Sequence, residues 1–102
     1  MGYGFLESVY RNALASTLRK RGFDVVAEAE LGVSFEGECV GSFRADLVID
    51  LAVVVELKAA RAIEPVHQAQ LLNYLKVSGM ELGFLFNFGP KAEFRRQVLT
   101  HR

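Results

Sequence analysis

Residues 52–57 form a nearly continuous apolar run with three consecutive valines, broken only near its end by charge. Such a run is typical of a strand that other elements cover on both faces, so it predicts a central position in a sheet. Glu56 and Lys58 interrupt the pattern. In a chain of 102 residues the core is modest, and a charged group within an apolar segment has a desolvation cost that another interaction must offset. These two residues therefore indicate a candidate site.

Helical spacing and capping residues predict two helices. Apolar residues recur with helical spacing from Phe5 to Arg21, and Gly22 follows the basic last turn, where a C-cap glycine belongs. The second helix is predicted to start at Glu64-Pro65, with proline in its first turn, and to run to Ser78 with Gly79 as its cap.

The remaining segments have the patterns of strands. Residues 24–35 and 39–49 flank a Glu36-Gly37-Glu38 turn and predict a β-hairpin, and residues 82–88 predict a further buried strand. Residues 92–99 fit either an edge strand or a short helix. The order of helix, three strands, helix and strand predicts one α/β (α+β) domain over residues 1–102, with a mixed central sheet flanked by helices.

Composition limits the partners and the cellular setting. Twelve basic and twelve acidic residues leave no net charge, so the chain lacks the overall basic character of most non-specific nucleic-acid binders, although residues 19–21 and Arg95-Arg96 are locally basic. Cys39 is the single cysteine and cannot form an internal disulfide, which favours a reducing, cytoplasmic setting. The N-terminus does not resemble a signal peptide, and no apolar run is long enough to span a membrane.

The predicted hairpin and central strand bring two carboxylates together. Alternation places Phe43, Ala45, Leu47 and Ile49 on one face of their strand and Arg44, Asp46 and Val48 on the other, while Val54, Glu56 and Lys58 share a face of the next strand. A three-residue loop at 50–52 pairs Ile49 with Val53 and Leu47 with Val55, which puts Asp46 opposite Glu56.

Two facing carboxylates in an apolar strand repel each other unless a cation or a shared proton relieves the charge. A divalent metal ion with oxygen ligands is one solution, and Lys58 on the same face could then reach a phosphate or a metal-bound water. The alternative is a salt-bridge network in which Asp46 pairs with Arg44 or Lys58 and Glu56 ends its strand at solvent. Spacing alone does not separate these two interpretations.

Polar residues of the two helices are further candidates. Glu7 borders the buried stripe of the first helix and could be a third carboxylate ligand, or it could form an ion pair with Arg11 on the helix surface. On one face of the second helix, His67, Gln70 and Tyr74 could offer polar groups to a substrate; the alternatives are solvent exposure for His67 and Gln70 and rim packing for Tyr74. The alternating phenylalanines at 84, 86 and 88 are predicted to belong to the core.

Several separated motifs in order resemble one family. Five motifs of the chain resemble those of the bacterial and archaeal GxxExxY proteins, which are assigned to the PD-(D/E)XK nuclease-like superfamily. The motifs are Gly4-Phe5-Leu6-Glu7-Ser8-Val9-Tyr10, Arg44-Ala45-Asp46, Glu56-Leu57-Lys58, Gln70-Leu71-Leu72-Asn73-Tyr74 and Asn87-Phe88-Gly89. The resemblance implies a restriction-endonuclease-like core.

The same resemblance implies roles for individual residues. Asp46 and Glu56 become metal ligands, Lys58 the catalytic lysine, Glu7 the acidic residue of the helix, and Gln70 with Tyr74 an accessory polar pair. It also implies Mg²⁺ or Mn²⁺ as cofactor and nucleic acid as partner. Members of the family commonly have a further helical lead-in, whereas this chain begins almost at Gly4, which suggests a truncated or short member and leaves the placement of Glu7 the most open.

Two function classes follow from these residues. The first is a metal-dependent nuclease acting on DNA or RNA. The second is a non-catalytic module that binds nucleic acid or protein on a nuclease-like scaffold, alone or as a homodimer. The zero net charge favours this second class. A metal-dependent hydrolase of another phosphoester is a third possibility that no residue selects.

Overall fold

The computed structural model describes residues 3–100, with side chains from residue 6 onward. The elements within this range follow the predicted order, and the first helix starts two residues earlier and ends one residue earlier than predicted. The open question at the C-terminal end is resolved as a strand. The elements are α1 (Tyr3–Lys20), β1 (Val25–Phe35), β2 (Glu38–Ile49), β3 (Val53–Lys58), α2 (Pro65–Ser78), β4 (Leu82–Phe88) and β5 (Ala92–Val98).

The strands of the described range form one mixed sheet in the order β1-β2-β3-β4-β5. Only β3 and β4 are parallel, and they are joined by α2; the other neighbours are antiparallel. A parallel pair needs such a crossover because the chain must return to the same end of the sheet. The prediction of an α+β domain with a mixed central sheet flanked by helices is confirmed.

Each face of the sheet packs against one helix. Val54 and Val55 are adjacent in β3 and both are buried, yet they belong to different hydrophobic clusters. Val54 packs with Leu71 and Leu75 of α2, whereas Val55 packs with Ala15 of α1. The prediction that this strand is covered on both faces is therefore correct. The phenylalanines at 84, 86 and 88 pack against the cluster on the α1 side, as predicted for core residues.

Strict alternation fails in β2, which corrects the predicted face of two residues. Leu47 packs on the α1 side, as the alternation requires, but Ala45 and Phe43 pack on the α2 side with Val48. The change of face occurs at Asp46. The β1 residue at the same level, Glu28, has a φ of 52° and is missing from the ladder between Ala27↔Leu47 and Ala29↔Ala45. This left-handed residue twists both strands and turns their outer halves toward α2.

Left-handed residues make the tight turns of the sheet. Glu36 and Gly37 have φ values of 50° and 82° and form a two-residue hairpin turn, so β2 begins at Glu38. Asp50 and Leu51 have φ values of 52° and 55°, and the Ala52 N–H donates to the Ile49 carbonyl at 3.0 Å. The resulting register, Leu47↔Val55 and Ile49↔Val53, is the predicted one.

Both predicted helix ends are found. Gly22 and Gly79 follow α1 and α2 with φ values of 94° and 79°, the left-handed conformation expected of C-cap glycines. Neither helix in residues 3–100 is long and apolar enough to cross a membrane.

Candidate metal centre and nuclease-like site

The two predicted carboxylates meet where β2 and β3 separate. The ladder between these strands ends at Leu47↔Val55, so Asp46 and Glu56 do not form the next backbone pair. Instead, Asp46 Oδ2 accepts a hydrogen bond from the Leu57 N–H at 2.8 Å. The side chain of Asp46 thereby takes the place of a strand neighbour, and this contact holds its carboxylate beside Glu56.

Glu56 is held in an environment that opposes its charge. The residue is only 8% exposed, and its Oε1 has no hydrogen-bond partner among the described residues. Burial, followed by the charge of Asp46 and a hydrogen bond with it, raises the pKa of Glu56 from 4.5 to about 8, while the charge of Lys58 acts in the opposite direction. A buried carboxylate oxygen without a donor, next to a second carboxylate, is suited to a hard divalent cation.

The salt-bridge alternative does not describe this site. No ion pair of residues 6–100 joins Asp46 to Arg44 or Lys58. Glu56 is buried, whereas that alternative needs it at solvent. Lys58 is half-buried at the end of β3, two residues beyond Glu56. Its ammonium group is thus available to a ligand or to water.

Tyr74 reaches the site from α2. Its ring stacks on Phe43 with centroids 4.2 Å apart and an interplanar angle of 8°, which fixes the ring over the twisted half of β2. Partial burial, and then the charges of Glu56 and Asp46, raise the pKa of the Tyr74 phenol. The phenol therefore stays protonated at neutral pH and remains a hydrogen-bond donor.

No hydrogen bond or ion pair of residues 6–100 joins the other predicted residues to the carboxylate pair. Gln70 is exposed on α2, and within residues 6–100 it forms no hydrogen bond or ion pair to Asp46 or Glu56. Glu7 is half-buried on α1. No three carboxylate, histidine or cysteine groups of the described residues gather in a metal-binding cluster. The roles of Glu7 as a third ligand and of Gln70 as an accessory group stay predictions.

Two helix residues have structural partners instead of the ones considered from the sequence. Arg11 forms its ion pair with Glu28 of β1 at 3.6 Å, not with Glu7. His67 is half-buried, and its Nδ1 accepts the Glu64 N–H at 3.0 Å, so it caps the start of α2. Of the polar residues on this face of α2, Tyr74 therefore lies near the carboxylates, whereas His67 caps the N-terminus of the helix.

Three residues support the site although the sequence assigned them no role in it; two of them, Asn87 and Gly89, belong to a motif of the family resemblance. Asn87 is 3% exposed and bonds the chain just beyond Lys58, Gly89 packs closely against the same segment, and Glu93 accepts a hydrogen bond from Ile63 N–H. The signal for Asn87 was present, because it is the polar residue in the buried strand at 82–88. A polar group in such a strand needs partners, and here it finds them in the loop after β3.

The comparisons agree with this geometry. The family model of the PD-(D/E)XK nuclease superfamily matches residues 1–97. No curated protein matches the chain. Among solved structures, the crystal structure of SSO0001 is similar, with a TM-score of 0.70 and 22% sequence identity over 97% of this chain. The match covers 52% of that chain, so the present chain spans about half the length of SSO0001. At this identity the likeness supports the fold alone.

Proposed function

Because the chain belongs to the PD-(D/E)XK nuclease superfamily, we propose that it is a metal-dependent nuclease that hydrolyses phosphodiester bonds of DNA or RNA. The observation that carries the proposal is the pairing of half-buried Asp46 with buried Glu56 at the separation of β2 and β3. Lys58 lies two residues further along β3 and has no ion pair among residues 6–100. Within the superfamily, the motifs of the chain favour the GxxExxY family.

Asp46 and Glu56 are the residues that would hold a Mg²⁺ or Mn²⁺ ion. Their oxygens are the donor type these ions prefer, and the unpartnered Oε1 of Glu56 would gain a partner. A bound divalent cation supplies a Lewis acid that activates water and stabilises negative charge on phosphoryl oxygens. Glu7 is proposed as a further ligand because α1 holds it half-buried and without an ion pair among the described residues.

Lys58 and Tyr74 would act directly on the substrate. The ammonium group of Lys58 can orient the attacking water or donate to a phosphate oxygen, and it compensates the negative charge that develops in the transition state. Tyr74 keeps its proton because its pKa is raised, so its hydroxyl can donate to a second phosphate oxygen. Gln70 would extend the polar face of α2 along the substrate.

Calorimetry with Mg²⁺ and Mn²⁺ tests the metal centre. The wild type is expected to bind the ions, and Asp46→Asn is expected to lose binding although its amide oxygen can still accept the Leu57 N–H. Glu81→Gln is the matched control, because Glu81 is an exposed carboxylate just before β4, away from the site, and should change nothing. Absence of ion binding by the wild type in the presence and absence of oligonucleotide would contradict the metal centre.

Cleavage assays test the reaction itself. Wild type is expected to cut at least one of single-stranded or double-stranded DNA or RNA, and Lys58→Ala should lose cleavage while it retains metal binding. If the wild type binds metal and nucleic acid but cuts none of these substrates, the protein is a non-catalytic binding module instead of a nuclease.

The zero net charge of the chain favours this second function, a non-catalytic binding module, because such a chain has no strong general attraction to nucleic acid.

A further inference from the structure

The segment directly after Lys58 is anchored at its beginning. Asn87 lies beside Lys58 in the parallel ladder between β3 and β4. Its Oδ1 accepts the Ala60 N–H at 2.9 Å, and its Nδ2 donates to the carbonyl oxygens of Ala60 and Lys91, each at 2.9 Å. Because Asn87 is buried, these bonds are shielded from water and fix the backbone two residues beyond Lys58.

The same segment is anchored again before α2. Glu93 of β5 accepts the Ile63 N–H at 3.0 Å through Oε1, while its Oε2 is held by Arg95 at 3.1 Å. The hydrogen bond from Ile63, together with the nearby Lys91 and Arg95, lowers the pKa of Glu93. The carboxylate is therefore ionised at neutral pH, and the second anchor is in place under the conditions in which a nuclease works.

Arg61 lies between these two anchors with its charge uncompensated. The residue is exposed, and no ion pair of residues 6–100 includes it, whereas Arg11, Lys91 and Arg95 each have a carboxylate partner. Cations on mobile segments lose entropy when they bind an anion, but the backbone of Arg61 is already held on both sides. Only Ala59 and Ala60 separate it from Lys58 along the chain, so it belongs to the segment that leaves the proposed reaction centre.

We propose that Arg61 binds a phosphate of the nucleic-acid backbone next to the one that is cleaved. This inference rests on the proposed function and adds a substrate-binding residue to it. A planar guanidinium donates two parallel hydrogen bonds to one phosphate, so arginine on an anchored loop both attracts the backbone and sets its register. The metal ligands and Lys58 then meet the neighbouring phosphodiester.

Fluorescence anisotropy with labelled DNA and RNA oligonucleotides tests the inference. The binding is measured in a Lys58→Ala background with Mg²⁺, where cleavage is expected to be absent. Adding Arg61→Ala should weaken binding roughly tenfold at moderate salt, as loss of a charge-assisted contact does. It should also reduce the slope of log affinity against log salt by about one. Arg61→Lys should restore the slope but only part of the affinity.

Arg21→Ala is the matched control. Arg21 is also an exposed arginine without an ion pair among the described residues. It follows α1 and lies close in sequence to Val25, which is level with Ile49 and Val53 in the sheet. Val53 begins β3 and Lys58 ends it, so Arg21 is near the opposite end of the sheet from Lys58. Its removal should leave affinity and salt slope nearly unchanged. The midpoint of thermal unfolding should be the same for the Arg61 variants and their parent, because Arg61 is exposed and its side chain is not part of the core.

Two results overturn the inference in different ways. If the parent binds an oligonucleotide and Arg61→Ala binds it with the same affinity and salt slope, Arg61 is not a phosphate contact and the proposed nuclease function stands. If wild type neither binds nor cleaves any of the oligonucleotides, the proposed function fails and the inference fails with it.

Discussion

At the residue scale, the character of the site comes from one carboxyl group. Glu56 is buried beside Asp46 and keeps a proton that a solvent-exposed carboxyl would lose. The arrangement is unfavourable for the fold when both groups are charged, and it becomes favourable when a cation shares them. Functional sites commonly contain such locally unfavourable groups.

The pH dependence of stability should reveal this carboxyl. Between about pH 4.5 and 8 the folded protein retains a proton on Glu56 that the unfolded chain has lost, so the free energy of unfolding falls as pH rises through this window. Glu56→Gln should flatten that fall and increase stability at pH 8 by on the order of 2–4 kcal/mol, because each unit of pKa shift corresponds to about 1.4 kcal/mol.

Urea unfolding from pH 5 to 9 in EDTA measures the effect, since EDTA removes ions that would compete with the proton. Glu81→Gln should keep the wild-type pH profile. A wild-type profile that is flat between pH 5 and 8 would show that Glu56 ionises at its ordinary pKa in the folded protein.

The residue types and spacing predicted the carboxylate pair, but they did not predict how the pair is held. Loop length was enough to predict that Leu47 pairs with Val55, because the number of residues in a hairpin loop sets the register of its two strands. The left-handed conformation of Glu28 has no marker in the sequence, since glutamate rarely adopts it. For that reason the change of face at Asp46, and the contact with Leu57, appeared only in three dimensions.

At the scale of elements, turns and close approaches determine where strands end. The turn between β2 and β3 places Leu51 at a φ of 55° with its side chain 74% exposed. A branched apolar residue is strained in that conformation and gains little from packing there. The Asp50 carboxylate accepts the Asp24 N–H at 2.9 Å, so the turn is held by a neighbour and not by Leu51.

Leu51→Gly is therefore expected to stabilise the protein by about 1 kcal/mol, because glycine adopts the left-handed conformation without strain and an Asp-Gly turn suits a hairpin. The midpoint of urea unfolding measures the gain. Leu51→Ala keeps the strain and should not increase stability; an equal gain from both variants would assign the effect to the loss of an exposed apolar side chain.

Gly89 is the opposite case, because a side chain there has no room. A Cβ atom at Gly89 would lie 1.9 Å from the Ala60 carbonyl oxygen, a backbone atom that Asn87 also holds. Gly89→Ala should destabilise the protein by roughly 2–3 kcal/mol, the usual cost of forcing atoms into a packed region. Gly41→Ala is the control, since a Cβ there meets nothing within 4 Å. Equal stability of the two variants would contradict the close approach.

At the scale of the whole molecule, the sequence was sufficient to predict the order of elements and the layers. The valine run, the capping glycines and the proline at the start of α2 each act locally, so they can be recognised without the fold. The remaining question was the last element, because Ala92–Val98 contains three consecutive polar residues at 95–97 and so lacks a clear strand alternation. Its pairing with β4 decides the matter, and that pairing is not a local property.

Association between chains is a further prediction at this scale. Tyr10 stacks on Phe88 with ring centroids 4.0 Å apart, yet Tyr10 and Phe94 remain exposed beside an apolar cavity of about 590 Å³ between α1 and the β4–β5 strands. Sedimentation equilibrium tests the predicted homodimer, for which a species of twice the chain mass is expected. The highest protein concentration in such an experiment is on the order of 0.1 mM. The mass of a single chain at every concentration up to that value would contradict the predicted homodimer.

The hydrogen bond between Asp46 and the Leu57 N–H gives the site a spectroscopic reporter. The resonance frequency of an amide proton depends on the charge of the group that accepts it, and here the acceptor is a carboxylate of the proposed centre. In a two-dimensional NMR spectrum of ¹⁵N-labelled protein, the cross peak of Leu57 should move when a divalent cation binds Asp46. One backbone signal in the middle of the sheet thus records whether the site holds a cation, and no reporter group has to be attached to the site.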